Sequence, residues 1–123
     1  MGIQFILFVG LGGAIGSIFR ASLSFFLSPQ TQFATLLVNL IGAFLIGFFT
    51  KWSANLGSGD LFRAFWIIGI CGGFTTFSTF GMDLLYLFEK RSWAWAIPYL
   101  FANVMGTLVF IWIGFKIANI TLS

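Results

Sequence analysis

Four long apolar runs, joined by short polar connections, occupy almost the whole chain. They cover residues 3–19 with a continuation past Arg20 to 27, residues 33–50, residues 64–82 with a continuation past Asp83 to 88, and residues 92–115. Each run is close to the roughly 17–25 residues with which an α-helix crosses the hydrocarbon core of a bilayer. The pattern predicts an all-α membrane protein in which four transmembrane helices form a single domain over residues 1–123.

The third run contains a glycine pair followed by a cluster of hydroxyl residues, in the sequence GGFTTFSTF at positions 72–80. This sequence predicts that the third helix breaks near its middle, and helices broken at membrane depth persist only where protein or water satisfies the freed backbone groups. The freed carbonyl groups are also suited to coordinate a cation. The alternative is an intact, bent helix whose hydroxyl groups bond back to the preceding turn.

The composition supports a membrane protein and excludes several functions. Hydrophobic residues make up 59% of the chain and charged residues 7%, far too few charges for a soluble surface. With no His and only Cys71, the usual transition-metal ligand sets and an internal disulfide are excluded. The carboxylates are dispersed and no nucleophile has a base at a suitable spacing, so we expect no enzyme. The basic residues form no patch, so we expect the lipid bilayer and no nucleic acid as a partner.

The basic residues are divided equally between the two ends of the predicted helices. An excess of Lys and Arg on one side normally fixes the orientation of a membrane protein. Equal numbers therefore predict insertion in both orientations and an antiparallel, dual-topology homodimer, a geometry that transporters otherwise obtain from inverted repeats. The alternative is one orientation, set by loop position or by Arg20 lying inside its helix. The two groups are Lys51, Arg63 and Lys116 on the N-terminal side, and Arg20, Lys90 and Arg91 on the other.

Polar side chains also interrupt the second and fourth runs. Asn39 is the only amide of the second run, and it is either an interhelical clamp or a group that lines a pathway. In the fourth run Tyr99, Asn103 and Thr107 recur every four residues and form a polar stripe on one helical face. The stripe stops at Ile111. Together with the hydroxyl residues of the third run, these positions predict a lined path rather than isolated clamps.

Two aromatic and two charged residues complete the candidate site. Phe77 and Phe80 lie three apart, and a ring edge can face an anion, but spacing alone favours packing in a chain with 18 Phe. Arg20 and Asp83 lie inside predicted membrane spans, where ionisable residues are functional hypotheses. Both residues are also close to a membrane interface, so their side chains can reach the interface. Alternatively, the two charges can pair with each other.

The sequence CGGFTTFSTF at 71–80 identifies a family when taken with two further features, Asn39 after a Thr-Leu-Leu-Val stretch and Arg20 at the end of a glycine-rich first run. Together they resemble the Fluc (CrcB) family of fluoride ion channels over essentially the full chain. The resemblance implies passive fluoride export, and hence fluoride resistance, across the inner membrane of a bacterial-type cell. It also implies a dual-topology homodimer with two antiparallel pores and a structural sodium ion at its centre.

The resemblance further implies a role for each residue of the fluoride pathway. Phe77 and Phe80 would present ring edges to fluoride, and Asn39 would donate an amide N–H beside them. Ser78 and Thr79 would donate their hydroxyl groups. The polar stripe corresponds to the polar track of the family's last helix.

Metal and vestibule roles follow from the same resemblance. The backbone carbonyl groups of Gly72 and Thr75, from both subunits, would hold the sodium ion, and Arg20 and Asp83 would lie in the vestibule. This chain departs from the family at two positions. Asp83 replaces a longer Glu, and Ile111 stands where the track would continue with a hydroxyl group.

Two other classes of protein share the four short spans. A small dual-topology drug or cation exporter has similarly balanced charges, but a proton-coupled exporter should carry a carboxylate deep in its first helix, and this first run has none. A non-transporting membrane assembly subunit would use the polar residues only as interhelical clamps.

Overall fold

The computed structural model describes residues 2–28, 31–57 and 59–122, which form helices and short connections. Pro29, Gln30 and Ser58, from two of the polar connections, lie outside the described residues. The first two helices are α1, Ile3–Phe26, and α2, Thr31–Leu56, and the last is α5, Trp93–Leu122. α2 and α5 extend past their apolar runs, beyond the length that a bilayer core requires, whereas α1 ends within its run.

The third span consists of two helices, α3 and α4. α3 comprises Asp60–Phe62, the π-helical Arg63–Cys71 and Gly72–Phe74. α4 comprises Ser78–Tyr86 and the π-helical Leu87–Arg91. Between the two, Thr75 has extended backbone with φ −83° and ψ 161°. Its N–H group makes the last backbone bond of α3, 3.0 Å to the carbonyl oxygen of Cys71, and its hydroxyl group donates to the same oxygen at 3.0 Å.

Within the described residues, four segments are long and apolar enough to cross a membrane, which confirms the predicted number of spans. They are Ile3–Phe26, Thr31–Leu56, Asp60–Arg91 and Trp93–Thr121. Many apolar side chains on these segments stay exposed in the single chain, including Ile6, Leu7 and Leu11 of α1. An exposed apolar surface of this kind faces lipid or another chain.

Two pairs of helices pack most closely: α1 with α3, and α2 with α5. Glycines allow both approaches, because small residues let membrane helices come into backbone contact. A Cβ atom on Gly16 of α1 would overlap the carbonyl oxygen of Ile70, whereas a Cβ atom on Gly10 would meet nothing. In the second pair, a Cβ atom on Gly47 would overlap the carbonyl oxygen of Ile111. The glycines therefore place the interrupted third span directly beside α1 and hold α5 against α2.

Candidate functional site

A cavity of about 390 Å³ lies where α2 and α5 meet the connection between α3 and α4. It combines amide, hydroxyl and aromatic groups at one end with aliphatic side chains at the other. Its lining residues are Asn39, Ala43, Ile46, Thr75, Thr76, Phe77, Phe80, Asn103, Val104, Thr107, Leu108 and Ile111. The cavity brings together predicted site residues from three separate apolar runs.

The amide of Asn39 joins three elements at the polar end of this cavity. Its Nδ2 donates to Oδ1 of Asn103 at 3.0 Å, and its Oδ1 accepts the backbone N–H of Thr76 at 2.9 Å. Thr76 lies in the non-helical connection, so the Asn39 side chain supplies the acceptor that an unbroken helix would have supplied. Asn39 is therefore both an interhelical clamp and a cavity-lining group, so the two interpretations of this residue do not exclude each other.

The polar stripe on α5 divides into two parts. Asn103 and Thr107 line the cavity, and the Thr107 hydroxyl donates to the carbonyl oxygen of Asn103 at 2.6 Å. Tyr99 is not among the lining residues, although its carbonyl oxygen accepts from Nδ2 of Asn103 at 3.0 Å. The Tyr99 hydroxyl is instead directed at Asp83.

Asp83 is buried in a small polar cluster. This cluster lies at the same end of the bundle as Arg20. Oδ2 of Asp83 accepts hydrogen bonds from the hydroxyl groups of Thr35, at 2.7 Å, and Tyr99, at 2.9 Å. Thr35 was not expected from the sequence. Its position four residues before Asn39, on the same face of α2, is the signal that could have found it.

The guanidinium group of Arg20 has a different partner. Its Nε donates to the carbonyl oxygen of Gly73 at 3.0 Å, so Arg20 satisfies a backbone acceptor near the end of α3. Within the described part of the chain, Arg20 and Asp83 make no ion pair with each other. The alternative in which these two charges pair is therefore wrong for the single chain.

Phe77 and Phe80 are neighbours with very different burial. Their ring centroids lie 5.8 Å apart, yet Phe80 is 5% exposed and Phe77 is 84% exposed. Phe80 also lies 5.6 Å from the ring of Tyr99, so the packing role inferred from spacing fits Phe80. Phe77 precedes the first residue of α4, and little of this chain covers its ring.

Ser78 and Thr79 also lie away from the cavity. Both are exposed, and neither lines the cavity in the single chain. The expectation that they line one path with Asn39 and the stripe is therefore not met by one copy of the chain. The structure instead adds the aliphatic residues at the far end of the cavity, which the sequence did not single out apart from Ile111.

The family model for CrcB-like protein, Camphor Resistance (CrcB), matches residues 7–115, which cover the second and third spans completely and most of the first and fourth. The chain belongs to the CrcB family. Relatives of this CrcB-family chain carry the name fluoride-specific ion channel FluC. The relative from Nitrobacter winogradskyi is 37% identical over 94% of this chain and 96% of its own length. The relative from Chlorobium chlorochromatii is 40% identical over 89% of this chain and 88% of its own length. The relative from Helicobacter pylori is 38% identical over 92% of both.

We predict that Tyr99→Phe destabilises this CrcB-family protein, because the buried carboxyl group of Asp83 loses one of its two hydroxyl donors. A hydrogen bond of this kind contributes about 1–2 kcal/mol. The loss is measured as a lower melting temperature in detergent. Tyr86→Phe is the matched control, since Tyr86 is 48% exposed. Equal melting temperatures for the two variants would show that the Tyr99 hydroxyl group contributes nothing to stability.

Proposed function

We propose that this protein is a fluoride-selective channel that lets fluoride leave the cell passively. The observation that carries the proposal is the cavity at residues 75–80, where amide and hydroxyl groups meet aromatic rings at the point where helical structure stops. The relatives named as fluoride-specific ion channels support it. In our proposal the channel lies in the inner membrane of a bacterial-type cell and gives that cell fluoride resistance.

The chemistry of the cavity suits a small, strongly hydrated anion. Removing such an anion from water is costly unless several donors replace its hydration shell. Asn39 and Asn103 bring amide groups to the polar end of the cavity, where each amide nitrogen uses one of its two hydrogens in the bonds described above, and Thr107 adds a hydroxyl group that would turn from the Asn103 carbonyl oxygen to the ion. The rings of Phe77 and Phe80 would present their positive edges. Each of these groups is weak alone, which conduction requires, because an ion must leave each site as well as enter it.

The exposed groups beside the cavity support a second copy of the chain. Phe77, Ser78 and Thr79 lie at membrane depth, and the Ser78 and Thr79 hydroxyl groups have no partner in the described part of the chain. Hydroxyl groups that face hydrocarbon without partners are costly. In our proposal a second copy covers them, and Ser78 and Thr79 then donate to fluoride in a pathway shared by the two copies. The equal charge distribution makes the pair antiparallel, with two equivalent pores.

A structural sodium ion at the centre of this dimer is part of the proposal. The carbonyl oxygens of Gly72 and Thr75 accept no hydrogen bond within the described residues, because the last backbone bond of α3 ends at Cys71. Hard cations prefer oxygen ligands of this kind. Two copies meeting at residues 72–75 would offer these carbonyl groups from both sides. A bound cation would also offset the cost of holding an anion nearby.

Arg20 and Asp83 have vestibule roles in the proposal. Only Nε of Arg20 is used in the bond to Gly73, which leaves guanidinium donors to attract anions to the mouth. Asp83 opposes that attraction, and its bonds to Thr35 and Tyr99 hold it inside the bundle. Because Tyr99 is the first residue of the polar stripe, its bond to Asp83 links the stripe to the vestibule. A proton-coupled exporter is disfavoured because α1 carries no carboxylate.

We predict that liposomes containing the purified protein release fluoride, measured with a fluoride electrode after potassium is made permeable, and retain chloride. Asn39→Asp should lower the initial rate at least about tenfold, because an aspartate keeps the acceptor for Thr76 but removes the amide donor. Phe80→Ile should also lower it, through loss of the ring. Absence of fluoride release from the unmodified protein, or equal chloride release, would exclude a fluoride channel.

Asn55→Asp is the matched control for this experiment. It makes the same chemical change on α2, but Asn55 is exposed and lies outside the cavity. We expect this variant to conduct like the unmodified protein. Size-exclusion chromatography establishes that all variants keep their oligomeric state, so that a lower rate reports conduction. An assembly subunit that transports nothing would show no flux in any of them.

We predict that the protein inserts in both orientations. Asn55→Cys in a Cys71→Ala background carries one reactive thiol, since Asn55 is exposed near the end of α2. A membrane-impermeant maleimide added outside intact cells should label about half of the molecules, and disruption of the cells should expose the rest. Labelling of nearly all or nearly none from outside would contradict an antiparallel pair.

We predict that sodium raises the melting temperature of the detergent-solubilised protein at constant ionic strength, because a ligand that binds only the folded state stabilises it. N-methylglucamine is the control cation, since it is too large and too poorly coordinating for a carbonyl site. Melting temperatures that are the same in both cations would count against the sodium ion.

A further inference from the structure

The cavity changes from polar to apolar along both helices that form its long walls. On α2 the lining passes from Asn39 to Ala43 and Ile46. On α5 it passes from Asn103 and Thr107, with Val104 between them, to Leu108 and Ile111, so the hydrogen-bonding groups end at Thr107. α2 is the second span and α5 the fourth, so the two helices run in the same direction. The apolar ends of both walls therefore lie at one side of the membrane. That side is the one with Lys51, Arg63 and Lys116.

Polar groups resume beyond this apolar end. Thr50 and Ser53 line a second pocket of about 370 Å³, together with Asp60 and Arg63 of α3, so both signs of charge are present there. Positions 39, 43, 46, 50 and 53 follow one another at steps of four and three residues, which places them on one face of α2. Ser53 is 6% exposed, and its hydroxyl group has no partner within the described residues. One face of α2 thus carries polar, apolar and polar sections in turn.

The helix register gives the length of the apolar section. Asn39 bonds to Asn103, and the carbonyl oxygen of Ile111 lies against Gly47, so residues of α2 and α5 that differ by 64 in number lie level. Thr107 is therefore level with Ala43. From that level to Thr50 there are seven residues, or about 10 Å along the helix. Over that distance the walls named above offer no hydroxyl or amide donor.

The helices cannot separate easily at this section. A Cβ atom on Gly47 would overlap the carbonyl oxygen of Ile111, and one on Gly114 would overlap that of Phe44, so the two backbones are in contact. Interiors packed this closely resist expansion. An anion passing here therefore stays beside the apolar side chains of Ile46 and Ile111.

We propose that Ile46 and Ile111 form an apolar neck that limits the rate at which fluoride moves between the polar cavity and the pocket at Thr50 and Ser53. The inference rests on the proposed function and identifies its rate-determining section. Apolar constrictions obstruct ions because water and ligand groups are both missing there. A single hydroxyl group in the neck would shorten the unassisted distance and lower the barrier.

The test is fluoride release from liposomes containing Ile111→Ser. We expect its initial rate to exceed that of the unmodified protein at least about threefold, with chloride still retained. Ile46→Ser, on the opposite helix, should act in the same direction and decides the question if Ile111→Ser fails to fold. Val109→Ser is the matched control, because Val109 is 49% exposed on the same helix and does not line the cavity. It should conduct at the unmodified rate.

The outcomes separate the neck from the channel itself. Fluoride release by the unmodified protein with no increase in either neck variant would overturn the neck and leave the proposed function standing. Chloride release that rises in parallel with fluoride would also overturn it, since that result indicates a general leak. An unmodified protein that releases no fluoride would overturn the proposed function and the neck together.

Discussion

The backbone at Thr75 and Thr76 must be satisfied without a helix at membrane depth, and the rest of the bundle is arranged around that requirement. Inside a bilayer no water replaces a missing backbone hydrogen bond, and each unsatisfied group costs several kcal/mol. The N–H of Thr76 is satisfied by the Asn39 side chain, which is held in turn by Asn103. The carbonyl oxygen of Gly73 is satisfied by Arg20. α1 and α2 thus bond directly to the backbone at this interruption, and α5 acts on it through Asn39.

The polar side chains from the other spans form two groups, one at this connection and one around Asp83. α1 supplies an arginine, α2 an amide and a hydroxyl group, and α5 a tyrosine and a second amide. The polar groups that stabilise the interruption also leave a cavity lined by donors. In the proposed channel the groups that hold the fold and the groups that hold the ion are therefore largely the same. The cavity becomes apolar only toward Ile46 and Ile111, where close packing of α2 and α5 replaces hydrogen bonding.

The single chain leaves some groups exposed or without a partner. These are the groups that the proposed second copy has to cover. Phe77 is almost fully exposed, and the Gly72 and Thr75 carbonyl oxygens accept no bond in the described part of the chain. An antiparallel second copy and a bound cation would satisfy both kinds of group at one place. The equal division of basic residues between the two ends is the sequence feature that agrees with such a pair.

The number of spans, the membrane environment and the family followed from the sequence, because hydropathy over helix-length windows and a rare local motif do not depend on tertiary contacts. The polar positions Asn39, Asn103, Thr107 and Asp83 were also recognisable, since polar groups stand out in apolar runs. Their partners were not. Only the tertiary structure shows that Asp83 bonds to Thr35 and Tyr99, and that Arg20 bonds to Gly73. It also shows that the side chain of Asn39 bonds to two different elements. Those pairings depend on how closely glycines let the helices approach, and on which side chains then reach the connection at residues 75–77.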